Sequence, residues 1–205
     1  MITIMYSIDM RYSAKHKAIT HSRLLKKATE QFRERGVQAT GIAKLMGRVG
    51  MTHGGFYAHF KNKEDLVTTA LATMFEESVG HMMEAINGAR DGKNVTAIVN
   101  GYLNERHRDD PSGGCLLPVM AAEIARQPNS VREAYTRGFK DQIKKMAKYM
   151  PGKNEDERCE HARLLLAGMA GTMTLARAMS DRELSNRTLA QAREFYISAF
   201  ERAKG

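Results

Sequence analysis

Apolar residues recur along this chain every three or four positions, broken at intervals by glycine, proline and short polar runs. No stretch alternates β-branched and polar residues as a half-buried strand does, so the pattern predicts an all-α protein of about nine helices. The first, over residues 13–35, sets Leu25, Ala28 and Phe32 on one face and stops at Gly36. Two very short helices, 42–49 and 52–59, meet across Gly50, which admits the positive φ of a tight interhelical turn. Asn62 then caps a fourth helix reaching residue 86, with Asp65 as an imperfect capping-box partner. Further helices are expected over 95–108, 116–126 and 130–150, the last opened by the box Ser130-x-x-Glu133. Residues 155–179 and 186–203, joined by a short polar turn, read as an antiparallel hairpin.

Charge is distributed unevenly over these helices. The whole chain carries +9, but residues 1–65 hold 12 Lys/Arg against 5 Asp/Glu, whereas residues 66–205 hold 20 against 18. A positive field confined to the first third favours a polyanion, either nucleic acid or an anionic membrane surface. With 42% hydrophobic residues the 205-residue chain can bury a core, and no apolar run approaches the roughly 18–20 residues of a membrane span. With no secretory leader at its start, the chain is expected to be cytoplasmic. Cys115 and Cys159 are too few to staple a secreted chain and are read as reduced thiols.

The segment 40–66 carries the most specific chemistry. Leu45, Val49, Met51, Phe56 and Phe60 supply the apolar contacts that two such short helices need, since neither is stable alone. Thr52 stands at the N-cap of the second helix, with His53 and Tyr57 on one face of it. Gly54 and Gly55 each lower helix propensity by roughly 1 kcal/mol relative to alanine, so either DNA approaches this turn closely or the glycines let the preceding helix pack. His59, Lys61 and Lys63 flank the next helix start, where cations and free amides can clamp a DNA backbone. Arg48 and the basic residues Arg11, Lys15 and Lys17 are further backbone or minor-groove candidates, or simply solvated charges.

Gly50-Met51-Thr52, Gly55-Phe56-Tyr57, His59-Phe60 and Lys63-Glu64-Asp65-Leu66, in that order and spacing, resemble the signature of the TetR family of transcriptional repressors. The resemblance covers about residues 13–70. It implies a three-helix DNA-binding helix-turn-helix domain over 1–65, with 1–12 as an arm, and a larger helical ligand-sensing and dimerisation domain over 66–205. It further implies a homodimer built on the last two helices, a palindromic operator in double-stranded DNA, and a small-molecule inducer that spreads the two reading heads. Residues 1–9 precede the point where such a protein normally begins.

Gly114-Cys115, followed by Pro118 and by Ala121 to Arg126, looks like a subgroup in which some relatives respond to electrophiles or small unsaturated compounds. Cys115, with Arg106, His107 and Arg108 near it in sequence, is either a reactive thiol or a small buried core residue. Met82, Met120, Met169 and Met173, with Tyr102 and Phe139, either line an adaptable apolar pocket with Cys115 or form plain core. Glu123 and His107 are candidate polar anchors for a ligand or ordinary surface groups. In the last two helices Gly168, Leu175, Phe195, Tyr196 and Phe200 fall on the faces expected to build a four-helix dimer interface.

Enzymes are disfavoured: the chain has no H-E-x-x-H, no phosphate loop with its lysine, no G-x-S-x-G elbow and no metal-spaced Cys/His group. No cofactor is expected. A protein that coats nucleic acid or membranes without sequence preference is the other alternative, marked by a steep salt dependence.

Overall fold

The computed structural model describes residues 14–90 and 92–201, with the side chains of residues 14 and 15 excepted. The arm at 1–12, and with it Arg11, lies outside the described residues, as does the side chain of Lys15. Helix α1 (Ala14–Arg35) is followed by α2 (Ile42–Arg48), a 3-10 helix (His53–Ala58), α3 (Lys63–Asn87), α4 (Asn94–Tyr102) and α5 (Glu105–Asp109). Then come α6 (Leu117–Ile124), α7 (Asn129–Ala147), α8 (Glu155–Ala178) and α9 (Arg182–Glu201). No strand occurs among the described residues, and no helix there is long and apolar enough to cross a membrane.

Four local details depart from the sequence pattern, each for a visible reason. The segment expected as a helix over 52–59 is a 3-10 helix, which suits a six-residue piece whose second and third positions are the weak helix formers Gly54 and Gly55. The helix expected over 95–108 breaks after Tyr102, because Asn104 serves both sides of the gap. Its amide donates to the carbonyls of Asn100 (3.0 Å) and Gly101 (2.8 Å), closing α4, while its oxygen accepts from the His107 N–H (2.8 Å), opening α5. The box at Ser130 does not form: α7 starts on the Pro128 carbonyl, the Ser130 hydroxyl donates to Glu64 of α3, and Glu133 accepts from Asn129. Helix α9 begins four residues early because Asp181 caps the Leu184 N–H at 3.0 Å.

Leu24, Ala28 and Phe32 of α1 bury against Leu45, Met46, Phe56 and Phe60, so that Leu24 rather than Leu25 is the fully buried position. Leu66, Val67 and Ala70 extend this core into α3, which then runs on without interruption into the second half of the molecule. There α3 packs along α7 and α4, while α8 packs between α7 and α9. A boundary between residues 65 and 66 therefore falls in the first turn of a helix that both halves share. The first turns of α9 are tied to α5 by the buried Arg108, which donates to Ser185 (2.9 Å) and Asn186 (2.6 Å) and pairs with Asp109. Arg182 grips the same Asp109 with both terminal guanidinium nitrogens, and the two arginines hold that carboxyl well below the usual carboxylate range.

The α3–α7 contact is tight at Gly138, where an added Cβ would overlap the ring of Phe75. Gly138→Ala is therefore expected to lower stability by about 1–3 kcal/mol through overpacking, despite the gain in helix propensity. Denaturant unfolding would show this as an earlier midpoint at unchanged slope; a more stable variant would mean that the ring swings aside without cost.

Candidate nucleic-acid interface and the cavity behind it

The turn between α2 and the 3-10 helix is made by Gly50 at φ +72°, and Arg23 of α1 clamps it by donating to the Val49 carbonyl at 2.6 Å. Sequence reasoning missed Arg23, whose partner is 26 residues away. With Phe56 buried as an anchor, the 3-10 helix turns His53, Gly54 and Tyr57 to solvent. Tyr57 is 60% exposed, its ring set edge-on to both His53 and Phe56. Thr52 occupies the N-cap in extended conformation, but its hydroxyl makes no cap bond. The two glycines divide in role. A Cβ at Gly55 would press on Met51 and Met46, so this glycine serves packing, whereas nothing lies within 4 Å of one at Gly54 and the backbone there is open to approach.

The next helix start is firmly built. Asn62 accepts from the Asp65 N–H at 2.8 Å, and Asp65 reaches back to the Lys61 N–H at 2.9 Å, so both capping residues are used. Lys61 and Arg48 are exposed, and Lys63 is half-buried, with burial lowering its pKa and Glu123 partly restoring it. His59 differs from this group. It sits beside His21, which stacks on Phe60 at 4.6 Å; burial first, then His21 and Lys17, lower its pKa and favour a neutral ring.

The C-terminal half is joined to this head by α6. The Glu123 carboxylate accepts from the Val37 N–H (2.8 Å) and the Gln38 N–H (2.6 Å) just past the left-handed Gly36 that ends α1. Arg33 of α1, itself buried, reaches the Ser112 carbonyl at 3.3 Å and pairs with Glu77 of α3. Glu123, a candidate ligand anchor from sequence, is thus committed to the head.

A cavity of about 470 Å³ lies between α3, α4, the 110–115 loop, α7 and α8. Met82, Tyr102, Cys115 and Met169 line it together, as does His107; Met120, Met173 and Phe139 do not. Met120 and Met173 are fully buried in packed core, and Phe139 stacks parallel to Tyr135. His107 holds the loop in place: Nδ1 donates to the Tyr102 carbonyl (2.7 Å) and Nε2 accepts from the Cys115 N–H (3.1 Å). That pairing fixes one neutral tautomer, and burial lowers the ring's pKa. Arg108 faces away from Cys115; Arg177 of α8 lies behind Gly114 instead, donating to the carbonyls of His107 (2.6 Å) and Arg108 (3.2 Å). Gln142 and Leu166 also line the cavity, and neither gives a sequence signal because the contacts that place them are tertiary.

On the hairpin, Leu164 (62% exposed) and Leu175 (59%) of α8, with Leu184 and Phe195 (66%) of α9, form an uncovered apolar face. Gly168, Tyr196 and Phe200 pack within the chain: Tyr196 lies over Gly168, and Phe200 meets His161 edge-on at 5.5 Å.

Residues 24–70 match the profile of the family described as bacterial regulatory proteins, tetR family. A fatty acid metabolism regulator protein of Bacillus subtilis is 30% identical over 115 residues, which are 56% of this chain and 57% of that protein, so the match spans little more than half of the relative's length. A TetR transcriptional regulator from Chloroflexus aurantiacus superposes with a TM-score of 0.74 at 20% identity, covering 90% of this chain and 95% of the other. The reduced form of Escherichia coli NemR does so at 0.73 and 19%, covering 88% and 97%. At these identities the structural likeness speaks for the fold.

Proposed function

We propose that the chain is a transcriptional regulator of the TetR family, a dimeric repressor released from a palindromic operator when a small molecule or a thiol-reactive electrophile enters the cavity. The observation that carries the reading is the 3-10 helix of the reading head. It presents exposed His53, Gly54 and Tyr57 on a rigid apolar base, with Thr52 and Gly55 completing the turn and Arg48, Lys61 and Lys63 on either side to meet phosphates. His59 belongs to the support of this surface, through its packing beside His21. Residues 1–65 would bind DNA and 66–205 would sense ligand and dimerise. The uncovered Leu164, Leu175, Leu184 and Phe195 are the groups that a second copy would bury, with Gly168, Tyr196 and Phe200 holding the hairpin that presents them.

Selection of bound duplexes from a random pool at physiological salt tests the reading. Enrichment of a palindrome with half-sites about 34 Å apart is expected from a twofold dimer. Retention of all sequences alike, with a steep salt slope, would replace it with a nonspecific nucleic-acid binder.

Cys115 lies in the cavity wall beside the Tyr102 hydroxyl. Addition of its thiol to an activated alkene would form a C–S bond and place the thiol proton on the neighbouring carbon. Cys115→Ser is expected to keep operator affinity within threefold and to abolish release by N-ethylmaleimide, read by gel shift. Equal release of parent and variant would remove Cys115 from the electrophile response.

A further inference from the structure

The interior of the cavity is uncharged. Glu84, Arg106 and Asp110, its charged lining residues, are exposed, as is His81. Deeper in, the wall is Met82, Ile98, Met146, Leu166 and Met169, interrupted by a few polar side chains. Two of these stand out. The Gln142 residue is only 4% exposed, and its Oε1 has no hydrogen-bond partner. The Tyr102 hydroxyl is likewise buried, and the Cys115 thiol, a weak acceptor, is the one group beside it that can take its proton in a hydrogen bond. Buried polar atoms normally find good partners, and two that lack one, on α4 and α7 in the lining of one cavity, mark where a bound molecule supplies them. Burial also raises the Tyr102 pKa well above its ordinary value, so the phenol remains a donor. His107 stays neutral with both ring nitrogens already engaged, and offers nothing to an anion.

We infer that the cavity takes an uncharged, largely apolar molecule that carries a carbonyl-type acceptor for the Tyr102 hydroxyl and an N–H or O–H donor for Gln142, as an amide, lactam or hydroxy-ketone does. This assignment rests on the cavity being the sensing site. It separates the chain from a sensor of ionised carboxylates, whose charge would have to be buried among apolar side chains, with Arg106 at the exposed rim and Arg177 bonded to the His107 and Arg108 carbonyls. It needs no covalent step, so a Cys115→Ser chain still binds such a ligand.

Calorimetric titration of the full chain with three matched probes tests the inference: 4-phenylbutanamide, 4-phenylbutanoate and butylbenzene. The amide is expected to bind at least about tenfold more tightly than either of the others. Tyr102→Phe is expected to bring amide and hydrocarbon to within about twofold, and Gln142→Leu to act in the same direction. With no probe present, Tyr102→Phe is expected to melt later than the parent, because it removes a buried hydroxyl whose one neighbour is a weak thiol acceptor. Tightest binding of the carboxylate, drawn by Arg177 behind the Gly114 wall, would overturn the assignment; so would a preference for butylbenzene, or failure of all three to bind. An earlier melt for Tyr102→Phe would also overturn it, by showing that the hydroxyl has a structural partner. Operator binding by the unaltered protein is measured alongside, and its absence would count against the regulator reading instead.

Discussion

Tyr57→Ala weakens binding to the selected operator by roughly 30-fold or more while lowering stability by no more than about 1 kcal/mol. The asymmetry follows from where the side chain sits. Its ring is 60% exposed and contributes to the protein mainly an edge contact with Phe56 at 5.4 Å. On DNA it is the largest group that the 3-10 helix offers. A lost phosphate or base contact costs about 1–3 kcal/mol, and a twofold dimer loses it twice. Phe56→Ala is the instructive contrast: that ring is fully buried, and its loss would cost about 3–5 kcal/mol and dissolve the reading head itself. Fluorescence anisotropy on labelled operator, with thermal melts in parallel, separates the two outcomes. Operator affinity within threefold of the parent for Tyr57→Ala would mean that another surface reads the DNA.

Glu123→Ala uncouples the head from α6. The carboxylate accepts two backbone N–H groups at 2.6 and 2.8 Å, bonds that are charge-assisted and together contribute about 2–3 kcal/mol. Without it, the amides of Val37 and Gln38 have no acceptor on α6. Their hydrogen exchange is expected to accelerate at least about tenfold while amides of α7 and α8 keep their protection. Ligand-driven release from the operator should weaken as well, because α6 starts two residues after the cavity residue Cys115. Glu123→Gln, which keeps one acceptor oxygen, should fall between. Unchanged exchange at positions 37 and 38 would show that Arg33 and α3 alone hold the head.

The reading head was legible from sequence because its information is local. Gly50, the aromatic pair Phe56 and Phe60, and the Asn62/Asp65 caps act within a few residues of their own positions, and the helices around them follow. The cavity was legible only in part, for a physical reason. Met82, Met120, Met169 and Met173 are alike in type and helical spacing, and only the three-dimensional packing decides that Met82 and Met169 face the void while Met120 and Met173 meet other side chains. Gln142 reads as one polar residue in an amphipathic helix, and Arg177 lies 62 positions from the cysteine it backs. The break after Tyr102 did leave a signal, since Asn104 is a strong capping residue within an otherwise apolar-periodic run. At Ser130 the pattern misled: the hydroxyl found a tertiary acceptor in Glu64 and left the helix start to Pro128.

Helix α3 is unbroken over 25 residues from Lys63 to Asn87. At about 1.5 Å of rise per residue, Met82 in the cavity wall and Lys63 beside the reading head stand roughly 28 Å apart on one rod. A pivot of only ~5° about the Met82 end therefore sweeps Lys63 through about 2.5 Å, close to the whole length of a hydrogen bond to a phosphate. In a pair of such subunits the sweep is doubled between the two heads, and the period of the double helix tolerates little error of that kind.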